Sequence, residues 1–190
     1  GALYHFPLTN KDVLIGFLPP FHSFGFSINT IMPLLTGLKA VYTPDPNDAK
    51  TIGELVKHGK VTALTATPTF LNMVLNASTK EDLETLKYGV VWAEKCSEAV
   101  FESFTKMCPN GKILEWYGIT ECSPVISINP PVKPKRGSVW LPVYGSDVKI
   151  ISLDTQKEVW VKEQGMIYFS GDNVFGWYLD ENLEKPFDNI

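Results

Sequence analysis

Cysteine is scarce in this chain: three residues in 190, Cys96, Cys108 and Cys122, an odd number without Cys-x-x-Cys spacing. That excludes a disulfide framework and points to a reducing compartment, the cytoplasm. Long apolar runs are missing too. The most apolar stretch, Phe24 to Val41, is interrupted by Asn29, Pro33, Gly37 and Lys39 and does not read as a membrane span. Neither sign of charge dominates; the formal net charge of −4 gives no global reason to expect nucleic acid or an anionic membrane as partner. No Gly-x-x-x-x-Gly-Lys-Ser/Thr loop, Gly-x-Ser-x-Gly elbow, metal-ligand cluster or internal repeat is present. No signal peptide opens the chain. What remains is 44% hydrophobic and 20% charged, the balance of an ordinary globular protein with one substantial core.

Apolar runs alternate with helical patterns. Strands are expected at 12–18, 39–43, 61–67, 88–93 and 112–116, and helices at 24–35, 48–57, 68–75 and 97–107. Asp48 reads as an N-cap, and Pro68 suits a first helical position, where its missing N–H costs nothing. This alternation predicts an α/β fold with a doubly wound, mainly parallel sheet over residues 1–124. From Val125 the pattern changes to strand-like pieces (125–128, 146–153, 165–169) joined by Pro- and Gly-rich turns. Residues 125–190 are therefore expected to form a β-rich portion. The abrupt ends predict a longer parent.

The densest chemistry lies in Glu115-Trp116-Tyr117-Gly118-Ile119-Thr120-Glu121-Cys122-Ser123-Pro124. It follows a strand-like segment, and ligands of open α/β sheets bind beyond the carboxyl ends of strands. The Tyr117 ring can stack on a base, the Thr120 hydroxyl can bond phosphate, and the Glu121 carboxylate can hold Mg2+. A bare Thr-Glu pair, by contrast, is common on solvated surfaces. Two further segments close strands on the same edge. Pro19-Pro20-Phe21-His22-Ser23-Phe24-Gly25 offers an apolar floor with a histidine, or simply a well-packed helix start. Ala93-Glu94-Lys95 offers backbone to line a planar pocket, or simply a charged turn. His5 and His58 read as surface residues, and Lys133, Lys135 and Arg136 as a solvated loop, with a patch for an acidic partner as the alternative.

In order and spacing these segments resemble the adenylate-forming superfamily of acyl-CoA synthetases, luciferases and peptide-synthetase adenylation domains. Phe-His-Ser-Phe-Gly (21–25), Ala-Glu-Lys (93–95), Tyr-Gly-Ile-Thr-Glu (117–121), a Gly-x-Val segment from Gly137 and Asn-Val-Phe (173–175) carry the likeness. Residues 18–25, 93–95 and 120–129 look nearest to bacterial acyl-[acyl-carrier-protein] synthetases. The resemblance implies part of the large N-terminal domain of a ligase. Such an enzyme activates a fatty acid with ATP and Mg2+ as an acyl-adenylate, then passes it to a pantetheine thiol of acyl carrier protein or coenzyme A. It implies adenine contacts from Ala93, Glu94, Lys95, Tyr117 and Gly118, a phosphate contact from Thr120, and metal binding by Glu121. It also implies an acyl site bordered by Phe21, His22, Gly25, Thr67 and Phe70, and catalytic roles for His22, Thr120 and Glu121. The phosphate loop and C-terminal lid are expected outside the chain, so this piece alone should be inactive. Localisation is expected to be cytoplasmic or peripheral to the inner membrane through the rest of the parent. Alternatives are a long-chain fatty acid–CoA ligase and a non-catalytic acyl- or nucleotide-binding module. Asp172, in Gly-Asp-Asn-Val, aligns away from the family's ribose-binding aspartate.

One departure concerns the tryptophans. Trp92, Trp116, Trp140 and Trp177 stand where the resemblance places glycine, and Trp160 falls in a turn where glycine is plausible. Since GGA and UGA differ by one base, the coincidence predicts a gene that uses UGA for glycine. A divergent member with a narrowed site is the alternative.

Overall fold

The computed structural model describes residues 2–6, 8–139, 141–176 and 178–180, without the side chains of Ala2 and Leu3. The elements run α1 (Ala2–His5), β1 (Val13–Gly16), a π-helical segment (Gly25–Ile31) continuing into α2 (Met32–Thr36), β2 (Lys39–Tyr42) and α3 (Ala49–Gly59). Then follow β3 (Ala63–Ala66), α4 (Pro68–Ala77), α5 (Lys80–Leu83), β4 (Tyr88–Val91), α6 (Glu98–Met107) and β5 (Lys112–Tyr117). A 3-10 turn (Thr120–Cys122) leads to β6 (Ser127–Ile128), β7 (Leu141–Pro142), β8 (Ser146–Ile151) and β9 (Met166–Gly171).

The expected parallel sheet is present. Strands β1 to β5 pair in parallel in the order β2-β1-β3-β4-β5. All four residues of β1 and of β3 are buried, as central strands covered on both faces require. The chain adds β2 on one side of β1 and β3 on the other, so the order reverses between β1 and β3. Crevices open at the carboxyl ends of strands flanking such a reversal.

Helix starts follow the local chemistry. Asp48 Oδ1 accepts from Thr51 N at 3.0 Å, Thr67 Oγ1 from Phe70 N at 3.3 Å, and Ser97 Oγ from Val100 N at 3.4 Å. Helix α5, absent from the sequence reading, is a single turn closed by a reciprocal Thr79–Asp82 capping box. The expected helix over 24–35 is π-helical in its first half: the Met32 N–H reaches back five residues to the Ser27 carbonyl. Such widened turns concentrate at functional sites.

Beyond residue 124 the strands do not form one separate unit. β6 and β7 extend the main sheet, β6 antiparallel to β5 and β7 antiparallel to β6, while β8 and β9 make their own two-stranded ribbon. No helix among the described residues is long and apolar enough to cross a membrane.

At the amino end of the sheet, Asp12 is almost fully buried. Its carboxylate accepts from Lys87 Nζ at 2.9 Å, Thr62 Oγ1 at 3.1 Å, and Thr9 N and Oγ1 at 3.0 Å each. Burial pushes this carboxyl up, but the Lys87 ammonium and the Thr9 and Thr62 donors outweigh it and hold it below the ordinary value.

Candidate functional site

Loops after β1, β4 and β5 meet at the carboxyl edge of the sheet. His22, Ser23, Phe24, Trp92, Trp116, Tyr117, Gly118, Ile119, Thr120, Pro124 and Val125 line a cavity of about 80 Å³. Beside it lies a wider crevice of about 450 Å³ bordered by Ala93, Glu94, Lys95, Glu115, Tyr117 and Gly137 to Val139. Tyr117 borders both, so the structure brings Ala93–Lys95, Tyr117, Gly118, Thr120 and His22 to one place.

Several local devices hold the edge in shape. His22 Nδ1 accepts from Phe24 N at 3.1 Å, which leaves Nε2 to carry the proton of the neutral ring. The Ser23 and Thr120 hydroxyls lie 2.9 Å apart and tie the β1 loop to the β5 loop. A Cβ at Gly118 would overlap the Pro124 carbonyl and come within 2.9 Å of Val125 Cα, so only glycine lets the chain fold back there. Gly25 is packed in the same way beneath the Pro19 carbonyl. Ala93 and Ser123 have φ of +70° and +55°, a left-handed backbone that non-glycine residues seldom adopt. Such strain gathers at binding sites.

Glu121 is half-buried beside Thr120, and its Oε1 accepts from the Tyr178 hydroxyl at 2.7 Å. Among the described residues no group of three or more His, Cys, Asp or Glu is arranged to hold a metal. One carboxylate still fits Mg2+, which retains waters and takes its other ligands from substrate phosphates.

Other predicted residues sit apart. Phe21 is 91% exposed and borders a different crevice, with Gly16, Asn29 and Tyr42. Thr67 caps α4, and Phe70 packs edge-on to Phe17 with ring centres 6.3 Å apart; neither lines the cavity with His22. The basic loop is pinned: Arg136 pairs with Glu98 and lies 4.3 Å from the Phe101 ring centre, and Lys112 Nζ donates to Pro131 O at 2.9 Å.

The sequence reading missed two organisers. Buried Glu115 accepts the Gly137 N–H at 2.6 Å. Buried Asn129 donates to Lys135 O and Ser138 O and accepts from Lys135 N, holding the 130–138 loop over the wider crevice. Each lies at the end of a segment already singled out, but neither was given a role there; only an inward-facing polar residue on or beside a strand marks them. All three cysteines are free and buried. Burial, and for Cys96 the nearby Glu115, pushes the Cys96 thiol up to about 12, and burial alone does the same for Cys108.

Trp92 and Trp116 both line the narrower cavity. Trp92 stacks on Phe24 with centres 4.3 Å apart and planes at 10°, and lies 5.0 Å from His22. Trp116 meets Phe6 edge-on at 5.3 Å. Neither has positive φ, so no left-handed backbone calls for glycine at either position. Instead, both indole N–H groups are buried without a hydrogen-bond partner, as are Asn29 Nδ2 and Ser78 Oγ. Such orphans are rare in close-packed proteins. Trp160 is 82% exposed, and Trp140 and Trp177 lie outside the described residues.

A family model described as AMP-binding enzyme matches residues 2–179. The chain belongs to the AMP-binding enzyme family. It is 30% identical over 163 residues to a long-chain-fatty-acid–CoA ligase of Yersinia pestis, covering 80% of this chain and 29% of the relative. It is similar to the solved structure of a long-chain-fatty-acid-CoA ligase from Archaeoglobus fulgidus, with a TM-score of 0.85, 25% identity, and coverage of 95% of this chain and 38% of that one. ATP-bound MatB from Rhodopseudomonas palustris gives a TM-score of 0.83 at 25% identity, over 94% of this chain and 35% of the other. The chain thus spans roughly a third of the length of these AMP-binding relatives.

Proposed function

We propose that this chain forms the nucleotide- and acyl-binding edge of an ATP-dependent, AMP-forming ligase for fatty acids. The observation that supports it best is the convergence of Tyr117, Thr120, the Ala93–Lys95 backbone and His22 around two adjoining spaces at the carboxyl edge of the sheet. Adenine would occupy the wider crevice against Tyr117, and the acyl carboxylate would lie near His22 Nε2. In the reaction a carboxylate oxygen bonds to the α-phosphorus of ATP as the α–β phosphoanhydride breaks and pyrophosphate leaves. A thiol sulfur then attacks the acyl carbon, releasing AMP. Thr120, tethered to Ser23, would donate to phosphate oxygens as charge builds there. Glu121 would hold Mg2+, which neutralises phosphate charge when bound. The relatives' names support a long-chain fatty acid and coenzyme A. Acyl carrier protein as acceptor rests on the resemblance of residues 18–25, 93–95 and 120–129, and a cytoplasmic setting on the unpaired thiols. Fatty-acid-dependent exchange of labelled pyrophosphate into ATP by the full-length protein tests the reading; full-length protein that binds both ligands without exchange would refute it.

A second reading takes Trp92 and Trp116 as genuine residues that narrow the site to a non-catalytic binding module; against it, the orphaned indoles favour UGA-encoded glycine at both positions, which opens the site. UGA codons at positions 92, 116, 140, 160 and 177 are the expected result of sequencing the gene; UGG throughout overturns the recoding and supports the binding module. A Trp92→Gly, Trp116→Gly protein is expected to bind ATP or a fatty acid at least about tenfold more tightly by calorimetry, a change of 1.4 kcal/mol.

A further inference from the structure

We propose that Asn173, Phe175 and Tyr178 belong to the site, with Tyr178 as the positioning residue that aims the Glu121 carboxylate at a divalent cation. The proposal rests on the reading of Glu121 as the cation ligand. Glu121 sits in a single 3-10 turn held internally only by Cys122 N to Ile119 O at 3.1 Å and Ser123 N to Thr120 O at 3.2 Å. So short a turn does not fix a side chain by itself.

The missing restraint comes from about fifty residues further along. Asn173 Nδ2 donates to Cys122 O at 2.9 Å and Val125 O at 3.1 Å, bracketing the turn from behind. The Ser146 hydroxyl donates to Asn173 Oδ1 at 3.3 Å and so orients that amide. Phe175 N donates to Glu121 O at 2.8 Å, and the Tyr178 hydroxyl donates to Glu121 Oε1 at 2.7 Å. The Phe175 ring meets the Tyr178 ring edge-on at 4.7 Å, which braces the phenol. Backbone and carboxylate of one residue are thus gripped by one strap.

The geometry leaves Oε2 without a hydrogen bond from the described residues. One oxygen fixed by an outer donor and the other open is how metal-ligating carboxylates are prepared. A purely structural strap would need the backbone bonds but not the phenol. A phenol also suits the task electrostatically: it orients the carboxylate without cancelling its charge, as a lysine would.

The test uses the full-length protein and Mn2+ with an excess of a non-hydrolysable ATP analogue, read by water-proton relaxation. Tyr178→Phe is expected to weaken Mn2+ binding about tenfold, the scale of losing an outer-shell partner. Metal-free binding of the analogue and the urea midpoint should stay unchanged. Glu121→Gln should abolish the metal-dependent signal. If Glu121→Gln loses the metal while Tyr178→Phe matches wild type, the strap proposal is wrong and the metal reading survives. Weakening by Tyr178→Phe that comes with a lowered midpoint, or with weaker metal-free analogue binding, overturns the positioning role in favour of a structural one. Glu121→Gln binding Mn2+ like wild type overturns both.

Discussion

The two ends of the central sheet each carry a carboxylate, and they are built in opposite ways. At the amino end Asp12 is almost wholly buried, with both oxygens accepting hydrogen bonds and the Lys87 ammonium 2.9 Å away. At the carboxyl end Glu121 is half-buried, takes one phenol on Oε1, and follows Thr120, which lines the cavity. A carboxylate whose acceptors are all used fastens strands together. One with spare capacity at the switch-point edge of a parallel sheet has something left to bind. If Glu121 binds as proposed, position in the sheet and saturation of the acceptors, not residue type, separate structure from function here.

The strongest way to break the contrast is to destroy the carboxyl edge itself. Gly118→Ala is expected to cost about 3 kcal/mol or more, because the new methyl meets the Pro124 backbone, which cannot yield as a side-chain end can. Urea denaturation measures the loss, and it should far exceed that of any polar substitution on the same edge.

Asp12→Asn comes next. It removes the charge opposite Lys87 and disturbs the bonds from Thr9 and Thr62 in a buried setting, for an expected loss of about 2 kcal/mol at neutral pH. The pH dependence sharpens the comparison. Because folding lowers the Asp12 pKa, its contribution is fully present above the unfolded-state value and disappears as pH falls through the lower folded-state value. Wild type should therefore lose stability on acidification more steeply than Asp12→Asn, the two curves approaching each other in acid. Parallel curves would remove Asp12 from the account.

Smallest in stability is Glu121→Gln. With a half-exposed side chain and a single phenol bond, it should shift the unfolding free energy by less than about 0.5 kcal/mol. Its metal-dependent binding should nevertheless vanish. A large stability loss at Glu121 would make the two carboxylates alike and undo the comparison.

Much of the α/β portion was legible because burial imposes simple patterns. The five parallel strands appear as short β-branched or apolar runs, and Asp48, Thr67–Pro68 and Ser97 mark helix starts through their own hydrogen bonds. The Tyr117–Glu121 run was legible because it begins at the end of a strand. Glu115 and Asn129 were not, since their partners, Gly137 and the 135–138 backbone, are brought near only by the return of the chain. Phe21 shows the converse. The resemblance implies an acyl site bordered by both Phe21 and His22, and only the fold shows that the loop turns Phe21 outward toward another crevice.

By itself, then, the sequence determined the strand–helix alternation, the sheet type and the chemical run at the end of β5, because backbone geometry and burial act over a few residues at a time. Only the tertiary structure decided which carboxylate is saturated and which retains an open oxygen. It alone laid Trp92 against Phe24 and brought Tyr178 to Glu121 across 57 residues of chain. Such pairings depend on the packing of the whole chain, and no local pattern records them.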